Sequence, residues 1–148
     1  MHNKNKGFTL IEMLVVVAVI GLLASLILVG LSGFRTRGRD TRRIADIKEV
    51  QNGLEIYYMR NGAYPTGTGW STLETALRSV GINQIPNDPT APTRTYYYGS
   101  DDGQKYVIGV EIEDPASNIQ LLNEDVDGTK YQVNCGTETD DKIYCVEM

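Results

Sequence analysis

The chain has 148 residues, room for one modest domain besides an anchoring segment, and a formal net charge of −5. With His2 as its single histidine, Ser-His-acid and Cys-His catalysis are closed to everything downstream of the first few residues. Residues 100–148 hold twelve acids against three bases, which argues against nucleic acid as the partner of the C-terminal part.

Read in chain order, the first element is a basic leader, Met1 to Lys6 with Lys4 and Lys6, ending at Gly7. An apolar run follows. From Met13 to Leu31 there is no charge, and at about 1.5 Å per residue this stretch spans close to 30 Å as a helix, the thickness of a bilayer core. A secretory signal has a shorter apolar core with its cleavage site behind it, whereas here the small residue lies in front. One carboxylate, Glu12, sits near the start of the run. Such a group costs about 2.5–3.5 kcal/mol at the centre of a membrane helix, so it needs a partner or a snorkelling route to the head groups. Ala18, Gly21, Ala24 and Ser25 are small residues that allow close helix approach in lipid, or are simply what membrane helices contain.

Past Ser32 the polarity rises but the helical spacing continues through Ile44, Ile47, Val50, Leu54 and Tyr57 or Tyr58. Arg42 and Asp46 stand at i and i+4, a mild support on an exposed face. Asn61-Gly62, with Pro65 behind it, ends the helix; Gly30, Gly33 and Gly38 are its weak points. Ser71-Thr72-Leu73-Glu74 spells a capping box that opens a short helix ending at Gly81, with Leu73, Ala76, Leu77 and Val80 buried. Residues 82–94, with Pro86, Pro89 and Pro92, read as a loop. Strands are expected over Thr95–Tyr98 and Tyr106–Glu113, joined by the turn Ser100-Asp101-Asp102-Gly103, with short additions at Tyr131–Val133 and Ile143–Val146.

The words Gly7-Phe8-Thr9-Leu10-Ile11-Glu12, and further on Ala45-Asp46-Ile47, Tyr57-Tyr58 and Asn61-Gly62-Ala63-Tyr64-Pro65-Thr66, resemble the type IV prepilins and the pseudopilins of type II secretion systems. The resemblance implies an α+β fold, a long N-terminal helix whose second half packs on a small C-terminal antiparallel sheet. It divides the chain into a cleaved leader (1–7), a transmembrane and filament-core helix (8–31), an amphipathic continuation (32–61) and an extracytoplasmic globular domain (62–148). It implies that a prepilin peptidase cuts between Gly7 and Phe8 and methylates the Phe8 amine. It also implies that Glu12 meets the N-terminal amine of a neighbouring subunit during assembly. Removal of the leader, with two lysines and no acid, takes the net charge from −5 to −7. Many major pilins carry a proline in or at the end of the membrane span; this span has none, which leaves pilus and pseudopilus both open.

With the domain outside the cytoplasm, Cys135 and Cys145 read as a disulfide; a metal site would need more cysteines or histidines nearby. Asn123, Asp125 and Asp127 before Gly128 are spaced like calcium-loop ligands, and some pseudopilins bind calcium in a C-terminal loop. The twelfth position is Asn134 where a glutamate is expected, so a plain acidic turn is the better reading and no cofactor is required. The pairs Asp101/Asp102 and Asp140/Asp141 read as solvated turn charges, not as an acid-base pair.

Five arginines, Arg35, Arg37, Arg39, Arg42 and Arg43, follow the span and outnumber the lysines before it. Charge bias alone would therefore place the domain inside the cell; the processing motif places it outside. Two roles are open for this collar, contact with lipid phosphates and, through Arg42 and Arg43, packing against acidic loops of adjacent copies. The function so read is a structural subunit that polymerises from the inner membrane into a type IV pilus or type II secretion pseudopilus, with the membrane assembly machinery as partner. The alternative is an anchored extracytoplasmic binding module that never polymerises.

Overall fold

The computed structural model describes residues 8–118, 122, 125–136 and 142–148. The chain divides into two compact units, residues 1–35 and 36–148. Helix α1, Leu10–Asn61, begins in the first and ends in the second. It stays helical through Gly33 and Gly38, and it stops where Asn61-Gly62 was expected to stop it, the Gly62 N–H still reaching the Tyr58 carbonyl.

In the first unit, Leu10–Ile27 has a mean hydropathy of 2.8 and none of it is buried. Leu10, Leu14, Val17, Leu22 and Leu26 are all more than half exposed. In water such a surface would be strongly unfavourable, at roughly 25 cal/mol for each Å² left wet, so this helix is built for lipid or for other helices.

In the second unit the order is β1 (Gly67–Thr68), α2 (Trp70–Ser79), β2 (Tyr97–Ser100), β3 (Val107–Glu111), a 3₁₀ turn (Pro115–Ser117), β4 (Thr129–Lys130), β5 (Val133–Asn134) and β6 (Ile143–Glu147). Four strands make an antiparallel sheet in the order β1-β2-β3-β6, and β4-β5 is a separate hairpin. The expected β2–β3 hairpin is present in the register Tyr97↔Gly109 and Gly99↔Val107; β2 starts two residues later than its spelling suggested.

Alternation assigns the faces. Tyr96, Tyr98, Tyr106, Ile108, Val110 and Ile112 belong to one core with Ile47, Val50 and Leu54 of α1 and Leu73 and Leu77 of α2. Leu54 and Leu73 are completely covered, each worth roughly 1.5–3 kcal/mol of burial. Val107 and Cys145 face the other way, into a smaller core with Val133 and Cys135 beneath the β4–β5 hairpin. Three buried tyrosines keep their hydroxyls bonded: Tyr96 to Asp46, Tyr98 to the Pro65 carbonyl and Tyr64 to Glu55. Burial, helped by Glu55, pushes the Tyr64 phenol up to about 12, and burial with Asp46 raises Tyr96 further. The β4–β5 turn is made by two non-glycine residues in the left-handed region, Tyr131 (φ 45°) and Gln132 (φ 66°), at a cost of roughly 1–2 kcal/mol each. Its Tyr131 carbonyl lies so close over Gly99 that no Cβ fits there.

The capping box at Ser71 is not formed. Helix α2 begins two residues earlier than that box implies, with Gly69 as N-cap and no side-chain cap bond, and Ser71 lies inside the first turn, its carbonyl accepting the Thr75 hydroxyl. Packing of Trp70 sets the start: its ring stands edge-on to Tyr96 at 5.0 Å and its indole N–H donates to the Pro86 carbonyl. The helix ends at the Val80-Gly81 turn, where Gly81 and Ile82 N–H groups return to the Arg78 and Leu77 carbonyls.

Candidate functional site

The first candidate lies at the start of α1. Thr9 precedes the helix, and its hydroxyl oxygen accepts the Glu12 N–H at 3.3 Å. In return Glu12 Oε2 accepts the Thr9 N–H at 2.8 Å and the Thr9 hydroxyl at 2.7 Å. Thr9-Leu10-Ile11-Glu12 is thus a working capping box, one that was spelled in the sequence, where Glu12 was read as a membrane-edge carboxylate and, through the resemblance, as an assembly residue. It satisfies two of the first free amides and gives the carboxylate two donors. Phe8 is exposed beside it, and Gly7 lies outside the described residues.

The second candidate, the arginine collar, is largely internal to the second unit. Arg43 is fully buried and holds Asp88 in two bonds, Nε to Oδ2 at 2.6 Å and Nη2 to Oδ1 at 2.9 Å. Its Nη1 reaches Asp40 Oδ1 at 2.8 Å and Glu113 Oε1 at 2.6 Å. Asp40 also accepts the backbone N–H groups of Glu113 and Asp114, Arg39 pairs with Glu113, and Arg37 with Asp114. Burial alone would raise the Asp88 carboxyl, but the bonds from Arg43 and Thr90 outweigh it and hold it down at about 2. The Arg39 bond, opposed by burial and aided by Arg43, holds Glu113 at about 2 as well. Burial disfavours the Arg43 charge, yet its three carboxylates raise its pKa and keep it ionised.

Arg43 therefore cannot present its charge to a neighbouring copy as the sequence reading expected. It lies one turn from Asp40, under residues 88–90 of the proline-bearing loop, which closes over that side of the helix. Arg42, next in sequence, is exposed and makes only a 3.9 Å contact with Asp46, whose shorter bond is to Tyr96. Helical spacing in the sequence does separate these two arginines: Asp40, Arg43, Ile47, Val50 and Leu54 follow one another in steps of three and four on the buried side of α1, and Arg42 falls outside that stripe.

Cys135 and Cys145 are bonded, joining the end of β5 to β6 beneath the hairpin. Of the calcium candidates, Asp125 turns inward, its Oδ2 accepting the Cys145 N–H at 2.8 Å, while Asp127 is exposed; Asn123 lies outside the described residues. Among the described residues no group of three or more His, Cys, Asp or Glu side chains is placed to hold a metal ion. Asp101 and Asp102 are exposed in the β2–β3 turn, where Asp102 accepts the Gln104 N–H; Asp140 and Asp141 lie outside the described residues.

A capped, lipid-suited helix that continues as the amphipathic partner of a small antiparallel sheet defines a pilin-like subunit. Residues 2–28 match the model of the prokaryotic N-terminal methylation motif. The type II secretion system core protein G of Vibrio cholerae is 33% identical over 111 residues, 68% of this chain and 76% of that protein. The type IV wide pilus major component of Thermus thermophilus is 34% identical over 85 residues, 57% of this chain and 60% of its own length. The chain spans 54% and 61% of the core protein G chains of Aeromonas hydrophila and Escherichia coli. No solved structure gives a significant match. The chain belongs to the family of type IV pilins and type II secretion pseudopilins.

Proposed function

We propose that this chain is a structural subunit that polymerises from the inner membrane, through α1, into a type II secretion pseudopilus or a type IV pilus. The observation that carries the reading is the wholly exposed apolar helix Leu10–Ile27 opening on a carboxylate inside a matched methylation motif. In a monomeric anchor that carboxylate would serve only to cap α1. In this reading a prepilin peptidase cuts between Gly7 and Phe8 and methylates Phe8, and the amine of Phe8 in one copy meets Glu12 of the next. The second unit lies outside the cytoplasm, where its disulfide is stable. The engagement of Arg37, Arg39 and Arg43 by carboxylates of their own unit supports that orientation, because the folded domain largely neutralises the basic stretch that opposes it. Arg42, exposed on the same helix, is the collar residue that meets an acidic loop of the adjacent copy.

The test is Glu12→Ala in the full chain. Membrane insertion and leader removal, read by fractionation and intact mass, are expected to survive while filaments are lost. Filaments from Glu12→Ala at the parent's yield would remove the carboxylate from assembly, and a mass beginning at Met1 as the only species would remove the processing step.

A further inference from the structure

A groove of about 450 Å³ lies between the start of α2 and the β4–β5 hairpin, with β2 along its floor. Tyr97 supplies aromatic surface beside the edge of the largely buried Trp70, Thr68 and Thr95 hydroxyls, and Gln132 and Asn134 amides; among the described residues none that lines it is charged, in a chain that is 22% charged. Its volume falls in the range of small-ligand clefts, about 300–1,000 Å³.

The hairpin turn at its rim adds a second, independent observation. Tyr131 and Gln132 both hold positive φ, where glycine or asparagine is the unstrained choice. Tyr131 has a structural use there, since its hydroxyl donates to Glu147 at 3.1 Å. Gln132 has none: its side chain is exposed, lines the groove, and makes no hydrogen bond to any of the described residues. A strained residue whose side chain serves only a cleft points to a ligand in that cleft. Asn134 Oδ1 accepts the Gly136 N–H, which leaves the Asn134 amide N–H groups as donors.

We propose that this groove binds a neutral carbohydrate. The described lining holds no charge to pair with a phosphate, a carboxylate or a cation, whereas aromatic surface flanked by amides and hydroxyls matches the apolar ring faces and hydroxyl rims of a sugar. A peptide strand is the less suited occupant. Strand β2 is paired with β3 on one side, and with β1 on the other, where the Gly69 N–H also reaches the Tyr98 carbonyl. From Tyr98 to Ser100 the floor therefore has no free edge to extend by strand addition.

Trp70 is the one tryptophan of the chain and lines the groove, so its fluorescence reports occupancy. The full chain, in a detergent without a sugar head group, is titrated with maltohexaose, cellohexaose and chitohexaose, and with an uncharged Ser/Asn peptide. A saturable change with at least one glycan is expected. It is expected to weaken by about tenfold, roughly the loss of one good hydrogen bond, in Gln132→Gly and in Thr95→Val. Gln132→Gly relieves the backbone strain, so its thermal midpoint holds or rises while binding falls, a split that a purely structural role for Gln132 does not produce. No saturable response to any of the three glycans, a response to the peptide alone, or undiminished affinity in both variants would overturn the proposal.

Discussion

Replacing Arg43 by methionine keeps most of the side-chain volume and removes the charge at the centre of the buried cluster. Asp88 suffers most, because its Oδ2 loses Arg43 and only Oδ1 keeps the Thr90 N–H and hydroxyl. Asp40 retains the amides of Glu113 and Asp114, and Glu113 retains Arg39, so those two are only partly stranded. Breaking a buried ion pair from one side costs about 3–5 kcal/mol, and the partners that remain place this variant near about 3. Urea unfolding of the full chain in micelles, followed by Trp70 fluorescence, measures it. A pH signature separates the electrostatic account from lost packing. Without Arg43 the buried Asp88 carboxyl rises above its unfolded value, so the variant gains stability as pH falls from 7 toward 4, whereas packing loss is indifferent to pH. Asp88→Asn in the Arg43→Met background should restore part of the loss while costing stability in the parent. A midpoint within about 0.5 kcal/mol of the parent, as for an ordinary surface substitution, would refute the reasoning.

The acid limb of the parent follows from the same cluster. Asp88 and Glu113 are held at about 2, below their ordinary values of 3.8 and 4.5, so the stability they contribute is complete above about pH 4.5 and is lost as pH falls toward 2. The loss is on the order of 2–3 kcal/mol for either group and is not additive, since both act through Arg43; a flat profile between pH 5 and 2 would contradict it. Reduction of Cys135–Cys145, ten residues apart, should cost something under about 3 kcal/mol and loosen β6 first, seen as faster amide exchange at Val146 than at Ile108.

Much of the fold was legible because its signals are local. The apolar run, the 3.6-residue stripe through Leu54 and the glycine-bearing turn between β2 and β3 each follow from a few neighbouring residues. The start of α2 was misread because Ser71-Thr72-Leu73-Glu74 is a local spelling overruled by a distant contact. Burying the Trp70 ring against Tyr96 moves the helix start ahead of Ser71. Arg43 was misread because its charge suggested an exposed residue. Arg42 and Arg43 are equivalent as charges; the helical stripe through Ile47 puts Arg43 on the inner side of α1, and the loop carrying Asp88 and Thr90, some 45 residues on, is what lets its charge be buried there. β1, two residues long, had no periodicity to detect; its place is fixed by pairing with Gly99 and Ser100.

The same four-residue pattern thus occurs twice, at Thr9–Glu12 and at Ser71–Glu74, and forms only at the first. There the residues flanking the cap face no competing core, so local hydrogen bonding decides the helix start. The outcome bears on how a carboxylate at a membrane edge can serve both insertion and assembly. Both Thr9 bonds land on Oε2, so the carboxylate is partly satisfied within its own subunit before any neighbour arrives. Among the described residues Oε1 is the oxygen with room for a further donor. In the assembly proposed above, a neighbour's Phe8 amine would take that second oxygen without breaking the cap, so pairing would add a charge-assisted bond to an existing pair instead of replacing it. The cap fixes where the carboxylate points, and in that assembly such preorganisation would lower the entropy lost on docking.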